Sequence, residues 1–210
     1  MNGKLIVFEG PEGCGKSTQA ARVYEFLKAK NTKTVYLREP GGVAISEKIR
    51  KIILDPENTA MASKTELLLY IASRAQIIEE KIKKLLKAGN TIILDRFYLS
   101  TIVYQGYARG LDLNLIKLLN QFVLGTVDVD LTVVYDVSWA TAQARLAGRV
   151  KRDRLDMEKK KFHLKVRAAY LKEAAKMKNT KIIKTDGKDE ETVLGETLDY
   201  LRGKEIFKWR

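Results

Sequence analysis

Cysteine and histidine are almost absent from this 210-residue chain, which has one of each. A lone Cys14 cannot close an intrachain disulfide, and with His163 as the single imidazole no His/Cys cluster can hold a metal. Cysteine usage this sparse predicts the reducing cytoplasm. Cys14 itself reads either as a reactive thiol or as a small filler. Long apolar runs are missing too. None approaches the ~20 residues that cross a bilayer, so no membrane partner is expected. Met1 to Phe8 run straight into an apolar strand, and no signal peptide is expected. Internal repeats and low-complexity linkers are also lacking. Acids are scarce relative to bases, 26 against 39, a formal balance of +13. That surplus fits nucleic-acid binding, a surface for polyanionic nucleotides, or a lysine-rich solvated surface as in some thermophiles. The chain shows no interleaving of aromatic and basic residues, which favours the last two readings. No nucleic-acid partner is expected.

What is present is a glycine loop. Gly10-Pro11-Glu12-Gly13-Cys14-Gly15-Lys16-Ser17, followed by Thr18, is a G-x-x-x-x-G-K-S string. The apolar run Leu5 to Phe8 precedes it, and a helical stretch from Gln19 to Lys30 follows. Strand, loop and helix in that order make a phosphate site. Glycines let the backbone turn its N–H groups towards an anion. The helix N-terminus adds roughly half a positive charge. Lys16 supplies an ammonium for the β- and γ-phosphates and Ser17 a hydroxyl for Mg²⁺.

Strand and helix signals alternate along the rest. Strands are predicted at Thr34–Leu37, Thr91–Leu94, Leu131–Tyr135 and Lys181–Lys184. Helices are predicted at Ile45–Leu54, with Ile45, Ile49, Ile52 and Ile53 on one side, at Asp112–Leu124, Ala140–Leu146, Glu158–Lys178 and Glu190–Leu201. A long helix from about Lys64 to Ala88 follows Ser63-Lys-Thr-Glu66, which fits a capping box. The tail holds Ile206, Phe207 and Trp209, which are available to pack onto the body. Five β/α alternations predict a single domain over 1–210, a three-layer α/β/α fold around a five-stranded parallel sheet. Ligands in such sheets bind beyond the carboxyl ends of the strands.

The converging loops hold the candidates. Asp95 ends a strand beside the phosphate loop, either as a carboxylate on the Mg²⁺ side or as a helix cap. Arg96 follows, placed to clamp an acceptor phosphate or simply to pair with an acid. Arg38 ends another strand ahead of Gly41 and Gly42. Tyr70 and Arg74 share a helix face, offering either a ring and a fork of donors for a base or a core aromatic beside a surface arginine. Ser100, Tyr104 and Gln105 stay near the Asp-Arg pair if their segment is helical. Arg149-Val-Lys-Arg152-Asp-Arg154 is either a solvated charge run or a lid, over about 147–157, that brings arginines to a triphosphate.

Phe8 to Thr18, Arg38-Glu-Pro-Gly-Gly42, Asp95-Arg-Phe-Tyr-Leu-Ser100 with Tyr104-Gln-Gly106, and Asp153-Arg154 together resemble thymidylate kinases of the bacterial type, from Lys4 to about Gly187. The resemblance implies phosphorylation of dTMP to dTDP by ATP with Mg²⁺, on a phosphate-loop kinase fold with a short lid, in a homodimer. It places Glu12 at the 3′-hydroxyl of the deoxyribose and Glu9, Asp95 and Ser17 on the metal side. Arg38 and Arg96 would hold the dTMP phosphate, Tyr70 would stack on thymine, Arg74 would bond its carbonyl oxygen, and Ser100, Tyr104 and Gln105 would line the same pocket. Lys16, Asp95, Arg96 and Arg154 would be catalytic, with Arg149 and Arg152 at the ATP phosphates. Eukaryotic-type relatives carry an arginine in the slot that is Gly13 here, so lid residues would take its place. Val43, Phe97 and the basic stretch 158–161 depart from the pattern. A different deoxynucleoside monophosphate kinase, or a non-kinase phosphate-loop protein, is the alternative to be tested by an acceptor panel.

Overall fold

The computed structural model describes residues 3–30, 32–148 and 153–204. Arg149, Arg152 and the tail residues Ile206, Phe207 and Trp209 therefore lie outside the described residues.

The order of elements is β1 (Lys4–Glu9), α1 (Lys16–Ala29), β2 (Thr34–Arg38), α2 (Ala44–Leu54) and α3 (Ser63–Ile77). A π-helical turn (Ile78–Ile82) carries α3 into α4 (Lys83–Lys87). Then come β3 (Thr91–Asp95), α5 (Tyr98–Thr101), a second π-helical stretch (Ile102–Ala108) and α6 (Leu113–Leu124). The chain closes with β4 (Leu131–Asp136), α7 (Trp139–Leu146), α8 (Lys160–Ala174), β5 (Thr180–Lys184) and α9 (Glu190–Arg202). Among the described residues no helix is long and apolar enough to cross a membrane.

The five strands form one parallel sheet in the order β2-β3-β1-β4-β5, as the alternation predicts. Side chains of a strand alternate between faces. In β1, Ile6 and Phe8 pack with Val23 and Leu27 of α1 and with Val193 and Leu201 of α9. Leu5 and Val7 pack on the other face with Ile77, Ile78, Ile82 and Leu86. Both faces are thus covered, which is why these strands read as unbroken apolar runs. The result is the expected three-layer α/β/α fold. The register pairs Asp95 with both Phe8 and Arg38, so the loops after β1, β2 and β3 open side by side.

Several local expectations change. The capping box does not form: Ser63 is already helical and Ala62 holds the N-cap position without a side-chain bond. Glu66 turns inward instead, because arginines from elsewhere meet its carboxylate. The long helix from Lys64 is broken by its π-helical turn at Ile78–Ile82. The expected apolar side of α2 is split: Ile53 is buried, while Ile45 and Ile52 face outward. The helix predicted from Glu158 starts at Lys160 and ends at Ala174. Asp112 caps α6, its Oδ1 accepting from the amides of Asn114 (2.7 Å) and Leu115 (3.1 Å).

Candidate active site

The glycine loop spans from the end of β1 to the start of α1. Gly15 holds the N-cap position of α1 in the left-handed region, φ 88°, where a side chain is strained. Gly13, φ 74°, lies so close to α7 that a Cβ there would stand 2.8 Å from the Ala142 carbonyl oxygen. No acid occupies the first turn of α1, so its positive end is left for an anion. Cys14 is buried and burial pushes its thiol up, so the reactive-thiol reading fails and it is a filler.

Two clefts flank this loop. The larger, about 1040 Å³, is lined by Gly13, Cys14, Gly15, Thr18 and Gln19, and by Arg145, Leu146, Thr185, Lys188 and the first turn of α9. Arg145 was not anticipated. Its Nη1 donates to the Gly13 carbonyl (3.2 Å) and its Nη2 to the Thr185 carbonyl (2.8 Å), tying α7 to the loop. The second cleft, about 730 Å³, collects Glu12, Lys16, Ser17, Arg38, Glu39, Arg50, Tyr70, Asp95, Arg96, Asp153 and Leu155. A smaller recess of about 240 Å³ holds Tyr70, Arg96, Ser100, Thr101, Tyr104, Gln105 and Leu155. Lys16 and Ser17 thus face the second cleft while the loop's backbone lines the first, so the loop is the partition between them.

Arg96 is the most heavily constrained side chain. Its backbone adopts φ 66°, which non-glycine residues avoid, and its amide donates to the Phe8 carbonyl at 2.9 Å. Its Nη2 donates to Glu12 Oε1 at 2.8 Å, and its Nη1 reaches the Gly10 carbonyl, Ser100 Oγ and Tyr170 Oη at 3.1–3.2 Å. The Tyr104 ring lies under the guanidinium, 5.2 Å to its centroid. Tyr104 also donates to Glu12 Oε2 at 2.5 Å. Burial pushes the Glu12 carboxyl up, but the charges of Arg96 and Lys16 outweigh it and hold it below its ordinary value.

On the expected metal side, Asp95 is buried at the end of β3 beside Ser17. Its Oδ2 accepts from Tyr36 (3.3 Å), while its Oδ1 is a buried oxygen with no hydrogen-bond donor. An orphaned carboxylate oxygen and a hydroxyl in one cleft fit a hard cation. Among the described residues no group of three or more His, Cys, Asp or Glu converges, so most of its ligands would come from phosphates and water. Glu9 does not fit that role. Its Oε1 accepts from the amides of Phe97 (2.8 Å) and Ser100 (3.2 Å), and its Oε2 from Ser100 Oγ (2.6 Å) and Tyr170 Oη (3.1 Å). Glu9 supports the Arg96 turn from beneath, and Ser100 is part of that support.

Arg38 is exposed at the end of β2, with Nη2 at 3.0 and 3.1 Å from the two oxygens of Glu47. The Gly42 amide also donates to Glu47 (2.7 Å). Val43, the N-cap of α2, has no side chain to cap with. Arg74 is 2% exposed and lies deeper than a base reader needs. Its Nε donates to Glu39 Oε2 at 2.8 Å, and its Nη1 to Thr101 Oγ1 (2.9 Å) and Asn120 Oδ1 (2.7 Å). Phe97, one of the departures, packs its ring 5.4 Å from that guanidinium. Burial pushes the Glu39 carboxyl up to about 7, with Arg74 pulling the other way. Gln105 gives its amide nitrogen to Glu66 Oε1 (2.7 Å) rather than to open space.

Arg154, expected to reach a transferring phosphate, is placed elsewhere. Its Nε donates to the Ile53 carbonyl (3.0 Å) and its Nη2 meets Glu66 Oε2. It is held between α2 and α3 because a buried carboxylate and the carbonyl end of α2 offer it better partners than solvent. Of the basic stretch, Glu158 pairs with Arg109, while Lys159, Lys160 and Lys161 are exposed.

A glycine loop opening a helix on a parallel sheet, beside a second cleft lined by arginines, defines a phosphate-loop nucleotide kinase. The family model described as thymidylate kinase matches residues 8–194. A solved thymidylate kinase from Ehrlichia chaffeensis is similar at 32% identity and TM-score 0.78, over 96% of this chain and 99% of that one. The chain belongs to the thymidylate kinase family.

Proposed function

We propose that this protein transfers the γ-phosphate of ATP to dTMP, yielding dTDP and ADP. The observation that carries this reading is Arg96, locked against Glu12 and Tyr104 at the floor of a cleft that Lys16 and Ser17 enter from the other side. Phosphoryl transfer needs positioning and charge neutralisation more than covalent chemistry. Arg96 holds the acceptor phosphate, with Arg38 and Arg50 on the same wall. Arg38 exchanges its exposed pair with Glu47 for the phosphate at little cost. Tyr70 stacks on the base in the recess that Thr101 and Tyr104 line, with Arg74 fixed behind Thr101. Glu12 and Tyr104 take the sugar. Lys16 and the loop amides bind the donor's phosphates.

Ser17 and Asp95 would hold Mg²⁺, which supplies neutralisation of the phosphate charge when bound. A panel of nucleoside monophosphates with ATP, with and without chelator, tests the reading by ADP release. dTMP should be the best acceptor and the chelated reaction silent. A protein that turns over another monophosphate and ignores dTMP overturns the assignment.

A second copy of the chain is proposed to cover the outer faces of α2, α3 and α6. Ile45, Ile52, Leu68, Leu115, Leu118 and Phe122 are all exposed there, Phe122 at 83%. An apolar surface of that extent on neighbouring helices is unusual for a monomer. The cytoplasm is the compartment this chemistry and the scarce cysteine suit.

A further inference from the structure

Glu66 gathers a cluster that the reaction scheme leaves unused. It enters from the first turn of α3 and is 1% exposed. Gln105 Nε2 reaches its Oε1 at 2.7 Å. Arg109 brings Nε to Oε1 at 3.3 Å and Nη2 to Oε2 at 3.2 Å. Arg154 Nη2 closes on Oε2. Burial pushes the Glu66 carboxyl up, yet the bonds from Arg109, Gln105 and Arg154 bring it below its ordinary value, so it is charged.

Arg154 links this carboxylate to a helix end. The last carbonyls of α2 need partners from outside the helix. Arg154 supplies two of them, Nε to Ile53 (3.0 Å) and its backbone amide to Leu54 (3.3 Å). The residues around Arg154 are folded tightly: Asp153 Oδ1 accepts from the amides of Leu155 (2.9 Å) and Asp156 (3.0 Å). Asp153, Leu155 and Asp156 all line the second cleft, and Leu155 also lines the recess. Arg109 has other side-chain partners, Glu158 and the Phe162 ring at 4.7 Å. Glu66 is the carboxylate partner of Arg154, whose other bonds go to the carbonyls that end α2.

We infer that Glu66 is a positioning residue: through Arg154 it fixes residues 153–156 as a wall of the acceptor cleft, and so governs acceptor binding rather than phosphoryl transfer. This rests on the reading of that cleft as the dTMP site. It also recasts Arg154 as a brace rather than a catalytic arginine.

The test uses the full chain with Glu66→Gln, Arg154→Gln and the double variant. Steady-state kinetics with dTMP and ATP are paired with calorimetric titration of dTMP in the absence of ATP. Each single variant should raise the dTMP KM and Kd about tenfold or more, the worth of a charge-assisted bond. The ATP KM and kcat should change less than about threefold. The double variant should be no worse than the poorer single, because both act on one brace. A fall in kcat with the dTMP KM unchanged overturns the inference, as do additive losses. If Glu66→Gln fails to fold, Arg154→Gln alone carries the same expected KM shift, and an unchanged value there overturns it. A wild type inert towards dTMP would overturn the functional reading instead; an active wild type with unshifted variants overturns only the brace.

Discussion

The cleft proposed for ATP is lined by the glycines of the loop, with Arg145 and Lys188 among its other residues. Gly13, Gly15 and the Thr185 carbonyl that Arg145 grips contribute main-chain atoms, and the first turn of α9 closes the side. The cleft proposed for dTMP is lined or backed by arginine–carboxylate pairs: Arg96 with Glu12 and Arg38 with Glu47 at its surface, Arg74 with Glu39 and Arg154 with Glu66 behind it. Backbone walls tolerate many side chains, and they bind an anion through dipoles that never titrate. Paired side chains fix geometry more tightly, but each buried pair becomes a liability once one partner is lost. Selectivity should therefore reside on the acceptor side and simple phosphate affinity on the donor side.

The largest test of that contrast is Arg96→Ala. It should cut dTMP turnover about a thousandfold or more while a fluorescent ATP analogue binds within about twofold of wild type. Comparable losses for both ligands would mean that the two clefts are one unit. Next is Arg74→Ala, which removes the donor to Glu39 and should cost about 3–5 kcal/mol in urea unfolding above about pH 7, where Glu39 is charged. Adding Glu39→Gln should recover part of that loss, and a double variant as unstable as the single would break the pair.

Third is the pH dependence of the same pair. An unfolded chain releases the Glu39 proton near 4.5, whereas the native protein keeps it to about 7. The bound proton favours the native state, so its contribution is complete below about 4.5 and lost as pH rises through about 7. The stability of wild type relative to Glu39→Gln should fall between those pH values by up to about 3 kcal/mol. A difference that grows with pH would contradict the burial argument. The smallest effect is expected from Arg145→Ala, about three- to tenfold in ATP KM with the dTMP KM unmoved. A shift in the dTMP KM would show that the partition leaks.

The same contrast explains what could be read from the sequence. The donor side is one contiguous string, Gly10 to Thr18, between a strand and a helix, and it was legible at once. Asp95-Arg96 was legible because a strand ended there. Arg145 was not, since its partners are the carbonyls of Gly13 and Thr185 and leave no side-chain signature. Glu66 sits three positions after Ser63 and so read as half of a cap. One of its actual partners, Arg154, is 88 positions away and read as part of a charge run. Gln105 and Tyr104 were placed near the site, yet the π-helical stretch that carries them has no distinct apolar period. Glu9 looked like a metal-side carboxylate until its four donors were visible.

The contact between Gly13 and α7 bears on how such enzymes can be altered. Any side chain at that slot meets Ala142 backbone atoms at 2.8–2.9 Å. Position 13 therefore takes no side chain unless α7 withdraws, carrying Arg145 with it.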